Sequence, residues 1–393
     1  MAARAEGVPA LDAASLLASA AAKTGGLRDF GDPAFGERLA ILVQMLEEGR
    51  IAPERRAVAH EQVSDLLAER LRFARDRREH PEIGREVVRA PLMVTGLARS
   101  GTTMFHALLA EDPANRAPRK WEVQHPSPPP GLAGPDDPRI ALTAREEEEH
   151  LAWMPGLLQA HPYSDQGAYS LSECESWLAL DLRNTFPNSF FKVASTLTRR
   201  PLSTDYPANY AWHRAFLQQL QFGAAPRRWV LKGTQHHYHF AEVRATYPDA
   251  IVLWIHRDPA RVLPSMLELV SIIQEAITGR AVNRPRIAAQ LVPTIRADLE
   301  RAMASPLAEH ERVFHMRYAE LMHDPPAMIR GVYERYEMAY TPAFDERLRA
   351  WPARNPPDRY GKFRYSLADF AMTAADLDAA FVAYRERFGI PRE

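Results

Sequence analysis

Residues 91–106 read Pro-Leu-Met-Val-Thr-Gly-Leu-Ala-Arg-Ser-Gly-Thr-Thr-Met-Phe-His. An apolar run ends at Gly96, and Gly101, Thr102 and Thr103 open a helical pattern. Glycines permit a tight backbone path, and the free N–H groups of a helix start, aided by its dipole, attract an anion. The spacing from Gly96 to Gly101 is that of the P-loop, G-x-x-x-x-G-K-[ST]. The lysine of that motif is missing: Thr102 stands in its place, and Arg99 puts a cation inside the turn. In P-loop triphosphatases the lysine reaches the outer phosphates and the next hydroxyl holds Mg²⁺. A loop carrying arginine instead suits a single 5'-phosphate with one transferable group, without a metal.

Three other stretches hold groups of the right kind. Ile-Val-Leu-Trp-Ile-His-Arg257 places a guanidinium at the end of an apolar run, and Ser265 follows eight residues later. That pair offers a fork of donors and a hydroxyl to a second phosphate. Leu231-Lys232-Gly233-Thr234-Gln235-His236-His237 supplies a cation and an imidazole at another such end. A third stretch, Tyr360-Gly361-Lys362-Phe363-Arg364-Tyr365-Ser366, is basic and contains glycine. Arg261 reads as a helix-surface residue. The histidines at 236, 237 and 239 have no cysteine or carboxylate beside them in sequence, so no metal site is expected. Glu173 and Glu175 flank Cys174; both cannot face one side of a helix, so at most one belongs to a site.

Arg99-Ser100-Gly101-Thr102-Thr103 resembles the 5'-phosphosulfate loop of sulfotransferases that use 3'-phosphoadenosine-5'-phosphosulfate (PAPS), in particular a large bacterial branch reading G-x-x-R-S-G-T-T. The resemblance extends over nearly the whole chain: 24–33 matches T-G-L-x-D-F-G-D-P, and Tyr318 to Pro325 matches a fourth-strand pattern. It implies that Arg99, Ser100, Gly101, Thr102 and Thr103 hold the 5'-phosphosulfate. Arg257 and Ser265 would hold the 3'-phosphate, and Gly361 and Lys362 would close over the nucleotide. Lys232 would stabilise the transferring group, and His236 would be the base, with His237 or a glutamate such as Glu175 as alternatives. The branch commonly has L-K-S-P-x-H here; Gly233 and Thr234 depart from it. The implied reaction is metal-independent, in-line sulfuryl transfer from PAPS to the hydroxyl of a small-molecule or lipid acceptor, leaving 3'-phosphoadenosine-5'-phosphate (PAP). The competing readings are a P-loop nucleotide kinase, disfavoured by Thr102, and a non-catalytic nucleotide-binding protein, which has no need of this set of residues.

Positioning these groups requires strands that end together. Four apolar runs, 91–95, 229–232, 251–255 and 313–317, are each followed by a helical pattern, at 102–110, 239–246, 259–277 and 326–335. Such alternation predicts an α/β fold with three layers and a central parallel sheet, ligands sitting at the carboxyl ends of its strands. Periodicity makes 1–88 a helical N-terminal region, and the resemblance implies that 89–393 would be the PAPS-binding core, with 112–227 as an excursion that would bind the acceptor. The excursion contains Glu146 to Glu149, read as a solvated helix start, and the aromatics Trp153, Tyr163, Tyr169, Trp177, Phe186, Phe190, Phe191, Tyr206, Tyr210 and Trp212. Most of these belong to a core; the rest would line an apolar pocket. Residues 271–304 read as helices laid across the core.

With 46% hydrophobic and 25% charged residues over 393, the chain is an ordinary globular one. Its net charge of −1 provides no general field to draw it onto nucleic acid, so any anion site is built locally. Cys174 is the only cysteine, which excludes an internal disulfide and fits a cytoplasmic setting. No run nears the roughly 20 apolar residues of a membrane span. The alanine-rich 11–23, interrupted by Asp12, reads as an amphipathic helix rather than a signal segment.

Overall fold

The computed structural model describes residues 10–48, 51–154, 156–162, 165–183, 203–356 and 359–393. Tyr163, Phe186, Phe190 and Phe191 lie outside the described residues, as does the side chain of Trp153. Five parallel strands make the sheet: β1 (Leu92–Gly96), β2 (Asn115–Arg116), β3 (Arg228–Lys232), β4 (Ile251–His256) and β5 (Val313–Arg317), in the order β2-β3-β1-β4-β5. The four expected strands are present. The short edge strand β2 arises inside 112–227, where no strand was expected; two residues carry no periodicity to read.

Central strands of a parallel sheet are covered on both faces, which is why β1 and β4 are largely apolar, apart from Thr95 and His256 at their carboxyl ends, and buried along their whole length. Successive side chains point to opposite faces. Met93, Leu231, Val252 and Trp254 face a core with Trp177 and Phe216. Leu92, Val94, Val230, Leu253 and Ile255 face Phe105, Leu109, Val332 and Tyr333. The result is the expected three-layer α/β arrangement. β1 pairs with β3 (Val94↔Lys232) and with β4 (Gly96↔Ile255), so Gly96 and Lys232 emerge at the same edge of the sheet.

The helical start of the chain forms Ala13–Lys23, Phe35–Glu48 and Pro53–Glu79. Asp12, the residue that breaks the alanine-rich run, caps the first of these by accepting from the Ser15 N–H. These helices pack with Leu157, Ala160, Leu182 and Leu269 in one shared core. A buried ion network ties them to the excursion: Arg38 and Arg70 both meet the Asp181 carboxylate, at 3.0 and 2.6 Å. The run Glu146 to Glu149 is a correction to the sequence reading. It lies within helix Pro138–Trp153, with Glu147 buried against Lys120 and Glu146 bonded to His125, because basic partners arrive from distant parts of the chain. Residues 284–304 form one helix across the core, as expected, while Ser271 belongs to helix Pro259–Thr278.

Candidate active site

β1 hands over to helix Thr102–Leu109 through a turn that only glycine permits at its first position. A Cβ on Gly96 would lie 2.5 Å from the Ile255 carbonyl oxygen and 2.9 Å from Ser100 Oγ. Gly101, at φ +93°, packs its Cα face on the Tyr318 ring. Arg99 adopts φ +78°, uncommon for a residue with a side chain. Such a conformation persists where surroundings over-determine it. Here the guanidinium donates to Ser265 Oγ (3.0 Å) and to the Ala160 carbonyl, and lies 5.9 Å from the centre of the Phe363 ring. Ser100 Oγ is buried inside the loop without a hydrogen-bond partner, an orphan acceptor-donor at the helix start.

A cavity of about 320 Å³ opens beside this loop. Arg99, Arg257, Ser265, Gly361 and Lys362, residues from three separate stretches, all line it. Arg261 and Arg359 line it as well, so five cationic side chains surround one space. Arg261, read from sequence as a surface residue, is exposed and faces this cavity nonetheless; Arg364 does not line it. The Arg257 guanidinium stacks 3.8 Å over the Tyr318 ring centre, donates to the Arg99 carbonyl, and meets the Glu393 carboxylate at 2.8 Å. The segment carrying Gly361 is pinned to the excursion by Asp165, which accepts from Tyr360 (2.6 Å) and pairs with Arg359 (2.8 Å).

On the other side of the loop lies a second, smaller cavity of about 80 Å³. Thr103 from the phosphate loop, Lys232 from the end of β3, and Glu173 and His161 from the excursion all line it. The Glu173 carboxylate is ion-paired with the Lys232 ammonium and approached by His161 Nε2 at 3.5 Å. Burial would raise the Glu173 carboxyl, but the Lys232 charge, joined by His161, overcomes that and holds it well below the carboxylate range. Burial lowers the His161 imidazole. Glu175 points elsewhere: its carboxylate accepts from the Thr234 N–H (2.6 Å) and hydroxyl (2.9 Å). Burial, then the neighbouring Glu173 charge, pushes it up to about 7.

His236 does not reach this cavity. It is fully buried, its Nδ1 paired with the Tyr210 hydroxyl (2.8 Å) and its Nε2 3.2 Å from Cys174 Sγ. Burial, with His239 adding repulsion, lowers it to about 3. The glycine at 233 explains the departure: a Cβ there would sit 2.6 Å from His236 Nε2, so the ring folds inward over a residue without one. His237 is also buried, bonded to Thr95 Oγ1 at 2.9 Å. Neither His236 nor His237 lines either cavity. Trp177, Tyr210 and Trp212 belong to the core, Tyr169 is exposed, and Tyr206 stacks on His239. Among the described residues, none of the named aromatics lines the second cavity, whose walls mix polar groups with Ala107, Ala110, Leu171 and Trp351. His161 and Arg359 were not singled out from the sequence; each stands alone, without a motif.

The family model described as "Sulfotransferase family" matches residues 91–342. The chain is 22% identical over 315 residues to the omega-hydroxy-beta-dihydromenaquinone-9 sulfotransferase Stf3 of Mycobacterium tuberculosis, covering 77% of this chain and 76% of that protein. The crystal structure of sulfotransferase STF9 from Mycobacterium avium superposes with a TM-score of 0.82 at 27% identity, covering all of both chains. That of STF1 from Mycobacterium tuberculosis H37Rv gives 0.77 at 26%, covering 96% of this chain and 99% of that one. A match over well more than half the chain, on a fold shared end to end, means that this protein belongs to the sulfotransferase family.

Proposed function

We propose that the protein transfers a sulfuryl group from PAPS to a hydroxyl on a small-molecule or lipid acceptor, with Glu173 as the base. The observation that carries this reading is the arrangement of two cavities on either side of one anion loop. One is walled by cations; the other holds a carboxylate and an ammonium. PAPS supplies, when bound, a sulfuryl group attached to a phosphate leaving group.

The loop residues Ser100, Gly101, Thr102 and Thr103 present N–H groups and hydroxyls to the 5' end, and Arg99 adds charge beside them. The buried, unpartnered Ser100 Oγ fits such an anion. Arg257 and Ser265 hold the 3'-phosphate, with Gly361 and Lys362 covering the nucleotide. Glu173 stays ionised at neutral pH and accepts the proton of the acceptor hydroxyl. Lys232, beside it, stabilises negative charge that develops during transfer. Five cationic side chains around the nucleotide cavity meet the charge of its phosphates, which supports transfer without a metal. A relative named for an omega-hydroxy menaquinone supports a hydroxyl-bearing lipid as acceptor. The lone cysteine supports a cytoplasmic setting.

The test is transfer of radiolabel from PAPS, labelled in the sulfuryl group, to a panel of polyisoprenoid alcohols, long-chain alcohols and phenols. The reaction should proceed without added Mg²⁺ and be lost in Glu173→Gln. Transfer to none of them, together with Mg²⁺-dependent ATP turnover, would favour a kinase instead.

A further inference from the structure

The histidines near Lys232 stand far from any cysteine in the sequence, but the fold delivers one. Cys174 begins helix Cys174–Leu180, His213 lies in helix Tyr206–Gln221, and His236 opens the turn after β3. We propose that Cys174 Sγ, His213 Nε2 and His236 Nε2 form a buried site for one thiophilic d¹⁰ cation, Zn(II) or Cu(I).

The three residues each have a ligand atom within 4.8 Å of the other two. His236 Nε2 and Cys174 Sγ are 3.2 Å apart. A cation with metal–sulfur bonds of about 2.3 Å and metal–nitrogen bonds of about 2.0–2.1 Å places its ligand atoms roughly 3.5 Å from one another, so the His236–Cys174 pair is already near that spacing. Thiolate with two imidazoles is a donor set that selects such metals over Mg²⁺ or Ca²⁺.

A second, independent observation points at a missing ligand. His213 is 1% exposed, and its Nε2 has no hydrogen-bond partner. Its other nitrogen, Nδ1, is held by the Tyr247 hydroxyl at 2.6 Å. His236 repeats the pattern, with Nδ1 held by the Tyr210 hydroxyl at 2.8 Å. In metal sites the second ring nitrogen is anchored in this way, which fixes the tautomer and aims the first at the metal. Here two tyrosines do that for two histidines, and Gly233 provides the space the His236 ring occupies.

The chemistry balances simply. Imidazole ligates in its neutral form, and Cys174 would lose its proton to solvent as the metal enters. With Zn(II) the thiolate leaves one net positive charge, and the Glu173 and Glu175 carboxylates lie near enough to act on the same sulfur. A bound cation would clamp helix Cys174–Leu180 to the end of β3, fixing Glu173 against Lys232. The cluster is thus a positioning device next to the reacting pair and has no part in the transfer itself.

The experiment is metal analysis by mass spectrometry of full-length protein purified without a metal-binding tag. The sample is taken as isolated, after reconstitution with Zn(II), and after anaerobic reconstitution with Cu(I). One equivalent of Zn(II) or of Cu(I) per chain is expected, and the two arms tell which. Cys174→Ser and His213→Gln should lose it, while His237→Gln, outside the cluster, should keep it. Should those variants fail to fold, wild-type protein loaded with Co(II) should show a thiolate-to-cobalt charge-transfer band in the near ultraviolet. Only substoichiometric traces in all three samples, equal loading of folded Cys174→Ser, or Co(II) bound without that band would overturn the site. These readouts do not depend on sulfuryl transfer.

Discussion

The Glu173 carboxylate lies on the Lys232 ammonium, and both face the cavity beside the phosphate loop. Glu173 comes from the excursion and Lys232 from the sheet, so the proposed base and the proposed charge-stabilising group are brought together only by the tertiary fold. Replacing Glu173 by Gln keeps the shape and removes the proton acceptor. General-base catalysis is worth ~10²–10⁴-fold, so kcat should fall by that range while PAP affinity stays within a few-fold. Single-turnover kinetics together with nucleotide titration would separate the two.

The pH dependence follows from the same pair. Because Lys232 holds the Glu173 carboxyl low, the proposed base is charged throughout the neutral range, and it protonates only below the ordinary carboxylate pKa of about 4.3. kcat/KM should therefore show no rise centred near ~6.5, the value of a free imidazole. A limb at that pH which vanishes in His161→Gln would transfer the role to His161.

How much of this was readable beforehand depended on distance along the chain. Arg99, Arg257, Ser265 and Lys362 were legible because each sits in a local pattern: a strand end, a glycine turn or a helix start. The five-stranded sheet was legible for the same reason, except for β2, too short to show a period. Glu173 was visible only as one of two candidate acids, and His161 not at all, because the cavity they line forms only where the excursion folds back on the sheet. The burial of His236 has a compact cause. Gly233 was noted as a departure, but that it lets the imidazole turn inward becomes evident only when the ring is seen 2.6 Å from where a Cβ would be.

That contact gives a stability prediction. Gly233→Ala inserts a methyl against a fully buried ring, and overpacking of this kind typically destabilises by about 1–3 kcal/mol. Scanning calorimetry should show a lower Tm. An unchanged Tm would mean that His236 has room to move.

A second stability prediction concerns His125, wedged between Glu146 (2.9 Å) and Glu69 (3.3 Å). Burial opposes its charge, but the hydrogen bonds and charges of the two carboxylates win and push it up to about 9. A raised folded-state value means that the stabilisation is fully present below the unfolded value of about 6.5 and is lost as pH rises through about 9. The contribution is on the order of 3 kcal/mol. Urea denaturation between pH 6 and 10 should show wild type losing stability over that window and His125→Gln losing much less. Parallel curves would place the pH dependence elsewhere.

The Glu393 carboxylate occupies the Arg257 fork, where the 3'-phosphate is proposed to bind. The two must compete. Partly exposed pairs of this kind are worth about 0.2–1 kcal/mol, so Glu393→Ala should tighten PAP binding by no more than a few-fold and leave AMP binding unchanged. Equal gains for both nucleotides would separate Glu393 from the 3' site.

The central claim is a nucleotide cavity built for two phosphates at Arg99 and Arg257. Isothermal titration of wild type and Arg257→Ala with PAP and with AMP, without Mg²⁺, tests it most directly. A charge-assisted contact contributes about 1.5–3 kcal/mol, so wild type should bind PAP at least ten-fold more tightly than AMP, and Arg257→Ala should lose most of that difference while its AMP affinity is preserved. Equal affinity of wild type for the two nucleotides, or a PAP preference untouched by the substitution, would contradict the account.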